Sequence, residues 1–190
     1  MGVKRCCWVS EDPLYIAYHD KEWGVPVHDD QQLFEFLILE TFQAGLSWIT
    51  VLRKRENFRI AFDFFDVEKV AAYDDEKIQS LLGNAGIIRN KLKIHAAIGN
   101  ALAFIAVQKE FGSFDKYIWQ FVDGKPKQNS IDNLRNLPPN TQISDILSKD
   151  LKKRGFKFVG STVVYAHMQA TGMVNDHTTD CFRYKEVQEM

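Results

Sequence analysis

Residues 33–58 read LFEFLILETFQAGLSWITVLRKRENF, and this stretch decides how the rest of the chain is expected to fold. The residues from Leu33 to Phe42 are almost continuously apolar, over a length that favours a buried helix over a strand. Gly45 then permits a backbone turn, and Ser47 is a suitable N-cap for a second helix. The stretch therefore predicts two helices joined by a turn.

Glu40 is notable because it places a carboxylate inside this apolar run. A buried ionised carboxylate is costly unless something pairs with it. The apolar Leu46 and the large aromatic Trp48 follow within nine positions, and the three side chains together could form a pocket for a flat, partly polar ligand. The alternative is a partly exposed acid at the rim of a core helix, and spacing alone leaves both open.

Length and composition are those of an ordinary globular protein. A chain of 190 residues suits one domain, or one domain with a small annex. Apolar residues make up 45% and charged residues 26%, which is typical of soluble proteins. No apolar run approaches the roughly 18 to 20 residues that span a bilayer, and residues 1–8 lack the apolar core of a signal peptide. We therefore expect no membrane association and a cytoplasmic location.

The net charge of -1 excludes a general electrostatic attraction for nucleic acid, so any polyanion site must come from local basic clusters. Three such clusters occur, and each has the alternative of being a solvated helix face. They are residues 53–55, then Arg89 with Lys91 and Lys93, and the basic residues of segment 149–157.

The remaining pattern predicts an all-α protein. Pro13 suits the first turn of a helix that Asp12 caps. No internal repeat and no pair of strands is evident, and residues 124–142 form the best loop candidate. The helix that Asp12 caps is expected over residues 14–20, and further helices are expected over residues 66–72, 75–82, 87–111, 117–122, 144–154 and 160–170, the last of these being the final helix.

Cysteine and histidine occur together at both ends of the chain. Cys6 and His19 lie near the start, and His177 and Cys181 lie near the end. Two thiolates and two imidazoles make a complete tetrahedral zinc set, which would be structural because it leaves no position for water. The alternative is that the cysteines are small buried hydrophobes. Cys7 could also replace Cys6 as a ligand, and the sequence does not separate these cases.

The segment Leu82 to Lys91 predicts a hairpin between two helices, with glycines at 83 and 86. Glycine lets backbone amides approach a ligand, and the following helix N-terminus favours an anion. Arg89, Lys91 and Lys93 would add positive charge. This is the arrangement by which a helix-hairpin-helix grips a DNA phosphate without reading bases; a tight turn between packed helices is the alternative.

Six blocks resemble, in order, the DNA-3-methyladenine glycosylase I family of helix-hairpin-helix DNA glycosylases. They span nearly the whole chain: C-x12-H from Cys6, then residues 8–26 (WVSEDPLYIAYHDKEWGVP), 39–56 (LETFQAGLSWITVLRKRE), 84–94 (NAGIIRNKLKI), 151–160 (LKKRGFKFVG) and 172–181 (GMVNDHTTDC). Cys7 departs from the family pattern, where a small residue such as Gly is expected.

The resemblance implies a single compact unit, with a helix-hairpin-helix part over residues 30–143 and a zinc-containing part formed by residues 1–29 and 144–190. It implies one structural Zn²⁺ on Cys6, His19, His177 and Cys181. The oligomeric state is not readable from the sequence, and a monomer is the default expectation. It also implies that the turn 43–46 enters the DNA where a base has left, so the expected DNA-binding residues are Gln43, Gly45, Leu46, Gly86, Arg89 and Lys91.

For the substrate, the resemblance implies alkylated duplex DNA and a flipped 3-methyladenine base. Glu40 would recognise the base, Tyr18 and Trp48 would stack on it, and Trp8 and Tyr15 resemble the other pocket aromatics. Residues 101–111, which follow the hairpin, contain no acid before Glu110, so no dedicated activating base is expected. No lyase lysine is expected either, so the enzyme should be monofunctional. The competing interpretations are a DNA-binding module without activity and, less readily, a zinc hydrolase.

Overall fold

The computed structural model describes residues 3–133, 135 and 137–190, and most of this part of the chain is helical. The predicted helical class is therefore confirmed. Short 3-10 turns cover Asp63–Phe65 and Gln120–Val122. The α-helices are α1 Pro13–Lys21, α2 Asp30–Gln43, α3 Trp48–Leu52, α4 Arg55–Ala61, α5 Val67–Ala71, α6 Asp75–Gly83, α7 Lys91–Phe111, α8 Phe114–Trp119, α9 Gln142–Lys153, α10 Ser161–Ala170 and α11 Phe182–Gln188. None of the helices in these ranges is both long and apolar enough to cross a bilayer.

Helix α2 forms the centre of the core, as its apolar sequence predicts. Every residue from Leu33 to Phe42 is buried, and the helix contacts α3, α7, α8 and α10. Asp29 caps its start by accepting a hydrogen bond from the backbone N–H of Gln32. Its end is set by Gly45, whose φ of +84° lies in the left-handed region that glycine adopts without strain.

Several helix boundaries differ from the prediction: α8 begins at Phe114 instead of residue 117, and α9 begins at Gln142 instead of residue 144. The second helix of the opening stretch is divided into α3 and α4. Helix α7 begins at Lys91 instead of residue 87, because the Asn90 side chain caps it by accepting from the N–H of Lys93. Ile87 lies before this cap and is buried in the core. The apolar pattern around Ile87 therefore reflects the burial of the hairpin and does not indicate a helix.

Two further elements were not predicted. Two-residue strands β1 (Lys127–Gln128) and β2 (Val174–Asn175) pair in parallel, and Ile131 forms a bridge with Thr178. Strands this short show no alternation of polar and apolar residues. The helix predicted over residues 160–170 corresponds to α10. It is not the final helix, because α11 follows it. The loop prediction for residues 124–142 also includes residues 134 and 136, which lie outside the described residues.

His167 on α10 is buried, and neither ring nitrogen has a hydrogen-bond partner among the described residues. Burial lowers the pKa of this imidazole to about 3. The unfolded chain therefore binds a proton more readily than the folded chain between pH 6.5 and 3, and stability decreases as the pH falls through this range.

We expect His167→Leu to raise the free energy of unfolding at pH 7 by about 1–3 kcal/mol, since it removes unpaired buried polar atoms. The advantage should grow by about 2 kcal/mol at pH 5, because each unit of pKa difference corresponds to about 1.4 kcal/mol. Urea unfolding at the two pH values measures both effects. A variant no more stable than the wild type at either pH would contradict this interpretation of His167.

Candidate active site

A cavity of about 310 Å³ lies beside the middle of α2. Its volume is at the lower end of the range of about 300–1,000 Å³ for small-molecule sites. All five side chains that the sequence singled out for base recognition line it: Trp8, Tyr15, Tyr18, Glu40 and Trp48. The fold thus brings together residues from the N-terminal segment, α1, α2 and α3. Their individual roles remain predictions.

Glu40 is buried in the wall of this cavity, with only 4% of the residue exposed. Its Oε2 atom has no hydrogen-bond partner among the described residues. Burial without a compensating cation raises the pKa of the carboxyl group to about 8. The alternative of a partly exposed acid is therefore wrong. A buried carboxylate oxygen without a partner is the kind of group that a ligand with a hydrogen-bond donor or a positive charge would satisfy.

The aromatic side chains form a connected cluster around the cavity. Trp8 lies with its ring centroid 5.0 Å from that of Tyr15 and 5.0 Å from that of Trp23. The centroids of Tyr18 and Trp48 are 5.3 Å apart. The Nε1 atom of Trp48 is buried and, like Glu40 Oε2, has no partner among the described residues. The residues that line the cavity therefore combine aromatic surface with a buried, unpaired carboxylate oxygen and a buried, unpaired indole N–H.

The sequence did not identify four other lining residues: Trp23, Leu137, Ala166 and Gln169. Trp23 could have been found, because it follows the predicted ligand His19 by four positions in an aromatic segment. Gln169 and Ala166 lie on α10, and nothing local in the sequence indicates that this helix faces α2. Their positions depend on tertiary packing alone.

The turn that follows α2 is held by a buried lysine. Lys93 is 6% exposed, and its ammonium donates hydrogen bonds to the carbonyl oxygens of Phe42 at 2.9 Å and Ala44 at 2.7 Å. It thus satisfies carbonyls at the negative end of the α2 dipole. The prediction that Lys93 adds charge to a phosphate-facing surface is wrong. The lysine instead fixes the turn that presents Gly45 and the 42% exposed Leu46.

The hairpin between α6 and α7 packs against the junction of α3 and α4. Asn84 Oδ1 accepts from the N–H of Gly86 at 2.8 Å, and a Cβ at position 86 would lie 2.9 Å from that oxygen, so glycine is required there. Lys54 donates to the carbonyls of Ala85 and Gly86. Arg89 is exposed. Neither its side chain nor that of the equally exposed Lys91 forms an ion pair with any residue the structure describes.

The first basic cluster is mostly engaged in ion pairs within the protein, whereas the third is engaged only through Arg154. Arg53 pairs with Asp12, and Arg55 is buried between Glu22 and Glu35. Glu35 is a second acidic residue within the apolar part of α2, and the sequence analysis assigned it no role. Its pairing with Arg55 explains its presence there. In the third cluster, Arg154 pairs with Asp150 and Glu110. Lys149, Lys152, Lys153 and Lys157 of that cluster are exposed and, like Arg89 and Lys91, form no ion pair with any residue that the structure describes. The hairpin and the third cluster therefore both offer free positive charge.

Cys6, His19, His177 and Cys181 form a buried group whose donor atoms all lie within 4.8 Å of one another. The Cys181 sulfur is 3.5 Å from His19 Nε2, and both sulfurs lie 3.6–3.7 Å from His177 Nδ1. Tetrahedral zinc with ordinary Zn–S and Zn–N bonds places S and N about 3.6 Å apart. Cys7 is exposed and outside the group. These four residues could therefore hold a metal ion.

The surroundings of the group orient both imidazoles. His19 Nδ1 lies 2.7 Å from an Asp20 carboxylate oxygen, and His177 Nε2 lies 2.9 Å from the carbonyl oxygen of Trp23. An N–H directed at each acceptor leaves His19 Nε2 and His177 Nδ1 free to coordinate. Hydrogen bonds from Cys6, His177 and His19 lower the pKa of the Cys181 thiol, which favours the thiolate that a metal binds. A carboxylate and a carbonyl in these positions are the usual supports of metal-bound histidine.

Comparison with known proteins agrees with this geometry. A family model described as methyladenine glycosylase matches residues 8–184. DNA-3-methyladenine glycosylase 1 of Escherichia coli K12 is 53% identical over 182 residues, which cover 96% of this chain and 97% of that protein. A crystal structure of 3-methyladenine DNA glycosylase I has a TM-score of 0.92 and 55% identity, covering 94% of this chain and 98% of the other.

The Staphylococcus aureus 3-methyladenine DNA glycosylase I, in a structure described as the basis of 3-methyladenine recognition, has a TM-score of 0.91 and 36% identity. This similarity covers 94% of the present chain and 95% of the S. aureus chain. The matches extend over nearly the full length of each protein. The chain therefore belongs to the methyladenine glycosylase family.

Proposed function

We propose that this protein is a base-excision repair glycosylase that takes 3-methyladenine out of the DNA helix and releases it by hydrolysis. The observation that carries this proposal is the buried, unpartnered carboxylate oxygen of Glu40 in an aromatic cavity. Its relatives are named for the same activity. Because the reactive bond of a stacked base is inaccessible, the base must leave the duplex before it can enter the cavity, which costs a few kcal/mol.

Glu40 is proposed to recognise the base through charge and hydrogen bonding. Methylation at N3 gives the base a positive charge while it remains attached to deoxyribose. The Glu40 carboxylate attracts this cation and accepts a hydrogen bond from the exocyclic amine of adenine. Guanine has the acceptor O6 at the same place and is disfavoured. Tyr18 and Trp48, with Trp8 and Tyr15, supply aromatic faces, where a cation gains about 0.5–2 kcal/mol.

The reaction needs little acid–base assistance in this proposal. The C1′–N9 bond breaks with its electron pair passing to the positively charged base, which leaves as neutral 3-methyladenine. Water adds to C1′ of the resulting sugar cation and loses a proton to solvent, which leaves an abasic site. Glu110, the first acid after the hairpin, pairs with Arg154 at the surface. Bond cleavage is therefore proposed to be largely dissociative, and the enzyme to be monofunctional.

Two surface features next to the cavity are proposed to hold DNA. Gln43 lines the cavity, and Gly45 and the exposed Leu46 follow it in the turn that Lys93 holds. This turn would occupy the space that the base has left. The hairpin at Gly86 would bind the phosphate backbone. It lies close to the turn, because Lys93 in the first turn of α7 contacts the end of α2.

Neutralising the hairpin cations should reduce the salt dependence of DNA binding. We expect Arg89→Gln and Lys91→Gln each to lower the slope of log K against log salt concentration by about one unit, since each removes one phosphate contact. Fluorescence anisotropy with an abasic duplex at several salt concentrations measures the slope. Lys109→Gln, on the far end of α7, is the matched control. Unchanged slopes for both hairpin variants would mean that these residues are only solvated surface.

We further propose that Cys6, His19, His177 and Cys181 bind one Zn²⁺. The mixed thiolate and imidazole set, the S···N separations and the oriented histidines support this metal. With four protein ligands the ion has no position for water, so it would act as a structural cross-link between the two ends of the chain. Base release itself would involve only the cavity residues.

The proposed arrangement has two parts within one compact unit that acts as a monomer. Residues 30–143 would provide the helix-hairpin-helix part, and residues 1–29 with 144–190 would provide the zinc-containing part. The cavity draws residues from both parts, since Trp8 and Ala166 line it together with Glu40 and Trp48. Base recognition would therefore require both.

The proposal is tested by incubating the zinc-loaded protein with DNA methylated by an SN2 methylating agent and separating the released bases by chromatography. We expect 3-methyladenine with little 7-methylguanine, and abasic sites without strand breaks. If a folded, zinc-loaded protein binds the DNA and releases no base, the protein is a DNA-binding module and the proposed activity is wrong.

A further inference from the structure

Asp176 joins the cavity to the segment that carries His177. It is 1% exposed, and three neutral donors surround its carboxylate. Its Oδ2 atom accepts from the hydroxyl of Tyr165 and from Nε2 of Gln169, each at 2.7 Å. Its Oδ1 atom accepts from Nδ2 of Asn129, also at 2.7 Å. The buried carboxylate is thus hydrogen-bonded by three donors on two separate segments, α10 and the residue that follows β1.

This contact determines how the Gln169 side chain is oriented. A carboxylate can only accept hydrogen bonds, so the nitrogen of the Gln169 amide must face Asp176 and the oxygen must face away. Gln169 Oε1 has no hydrogen-bond partner among the described residues, and Gln169 is a lining residue of the cavity. Asp176 uses one of the two N–H groups of the Gln169 amide, and the acceptor that this side chain can offer to a ligand in the cavity is Oε1. The bond to the Asp176 carboxylate also polarises the amide and makes this oxygen a stronger acceptor.

We propose that Gln169 is a specificity-determining residue of the base site, where it offers a hydrogen-bond acceptor whose orientation Asp176 fixes. This inference rests on the proposed function, and it adds a second acceptor to Glu40 in the same cavity. Two acceptors favour a base that presents an amine or carries positive charge. They oppose a base with a carbonyl oxygen at the same edge, because two facing acceptors leave both unpaired.

Asp176 has a different role from that of Gln169. Its own oxygens are engaged by Asn129, Tyr165 and Gln169, so it acts as a positioning residue. Without the carboxylate, the Gln169 amide could rotate by 180° and present N–H groups to the cavity. The acceptor character of the wall at Gln169 thus depends on the residue directly before the metal-ligand candidate His177.

The test compares the affinities of two free bases, 3-methyladenine and 3-methylhypoxanthine, which carries a carbonyl in place of the amine. Quenching of the cavity tryptophans in the zinc-loaded protein reports binding. We expect the wild type to prefer 3-methyladenine. Gln169→Met keeps the length of the side chain and removes the acceptor, so it should weaken 3-methyladenine binding by about five- to tenfold. Its affinity for 3-methylhypoxanthine should change little, and the preference should fall accordingly.

Asn129→Ala is the matched control, because Asn129 binds the other oxygen of the same Asp176 carboxylate. It should leave the preference unchanged. Asp176→Asn, checked for zinc content, should reduce the preference although Gln169 is still present. If Gln169→Met left the preference for 3-methyladenine unchanged, or if Asn129→Ala lost it equally, the proposed role of Gln169 would be overturned. Neither result would contradict the proposed function. If the folded wild type binds neither base, the proposed function itself fails.

Discussion

Replacing Glu40 with glutamine is expected to lower kcat/KM for release of 3-methyladenine from methylated DNA by about 10³-fold. At a separation of about 4 Å and an effective dielectric constant of about 20, a carboxylate stabilises a cation by about 4 kcal/mol, which corresponds to about three powers of ten. Glutamine keeps the shape of the side chain and loses this charge. Single-turnover kinetics over a range of enzyme concentrations measures the effect.

The loss should fall on kcat/KM more than on kcat. The carboxylate favours the flipped cationic base before the bond breaks and continues to do so while the charge moves toward the sugar, so much of its effect is common to the bound state and the transition state. Free 3-methyladenine carries no charge when it leaves, so its affinity should decrease less than kcat/KM does.

The rate should also increase with pH, because the proposed role requires the ionised form of Glu40. The pKa of this carboxyl is raised to about 8 by burial, and kcat/KM reports ionisation of the free enzyme. We expect kcat/KM to rise about tenfold per pH unit between pH 6 and 7.5 and to level off near pH 8. A flat profile in Glu40→Gln would assign the dependence to this residue.

Stability should depend on pH in the opposite sense. The folded pKa of about 8 lies above the ordinary value of 4.5, so the folded state binds the proton more tightly and stability decreases as the pH rises from about 4.5 to 8. Glu40→Gln should therefore be more stable than the wild type at pH 8.5 and show a smaller gain at pH 5.5.

Glu35→Gln is the matched control on the same helix. Glu35 pairs with Arg55 and Arg59, so its replacement should destabilise the fold and leave base release intact. If Glu40→Gln retained wild-type kcat/KM, or if Glu35→Gln lost it equally, the proposed role of Glu40 would be wrong.

Removing the proposed zinc is expected to have the second large effect. Structural zinc contributes about 10–16 kcal/mol of apparent binding energy in small zinc domains. Even a third of this value, about 3–5 kcal/mol, would lower Tm by about 6–20 °C in a protein of this size. Cys181→Ser, or chelation of the wild type, should produce this shift, and elemental analysis should find one zinc per untreated chain and none after treatment.

Cys7→Ser provides the matched control, because Cys7 is exposed and lies outside the buried group. It should retain both the zinc and the wild-type Tm. A metal-free wild type with an unchanged Tm would contradict the proposed cross-link. Full turnover by a folded, metal-free protein would leave the assignment of the catalytic cavity intact.

Much of the candidate site could be predicted because it depends on residue types that are unusual for their surroundings. A carboxylate in an apolar run indicated Glu40, and paired thiol and imidazole groups indicated the four metal-ligand candidates. The cap at Asp12 and the glycine at position 45 likewise identified helix boundaries from local chemistry.

The rest depends on contacts between distant parts of the chain. The basic neighbours of Lys93 in the sequence led to its prediction as a surface cation. Its ammonium is instead buried and donates hydrogen bonds to the carbonyl oxygens of residues 42 and 44, which are distant in the sequence. Gln169 faces the cavity only because α10 packs against α2. Strands β1 and β2 are too short to show an alternation of polar and apolar residues, and each exists as a strand only through its hydrogen bonds with the other. None of these relations has a local signature.

The contact between the two ends of the chain also affects when the protein becomes active during synthesis. Trp8, Tyr15 and Tyr18 are translated first, whereas His177 and Cys181, which contact the segment that holds these walls, are translated 154 or more residues after Trp23. Ribosomes add about 5–20 residues per second, and the N-terminal residues emerge first. The positions of these aromatic side chains around Glu40 are therefore expected to become fixed only after His177 and Cys181 have been synthesised. We therefore expect a nascent or truncated chain that lacks His177 and Cys181 to lack a finished base site and to be inactive toward DNA.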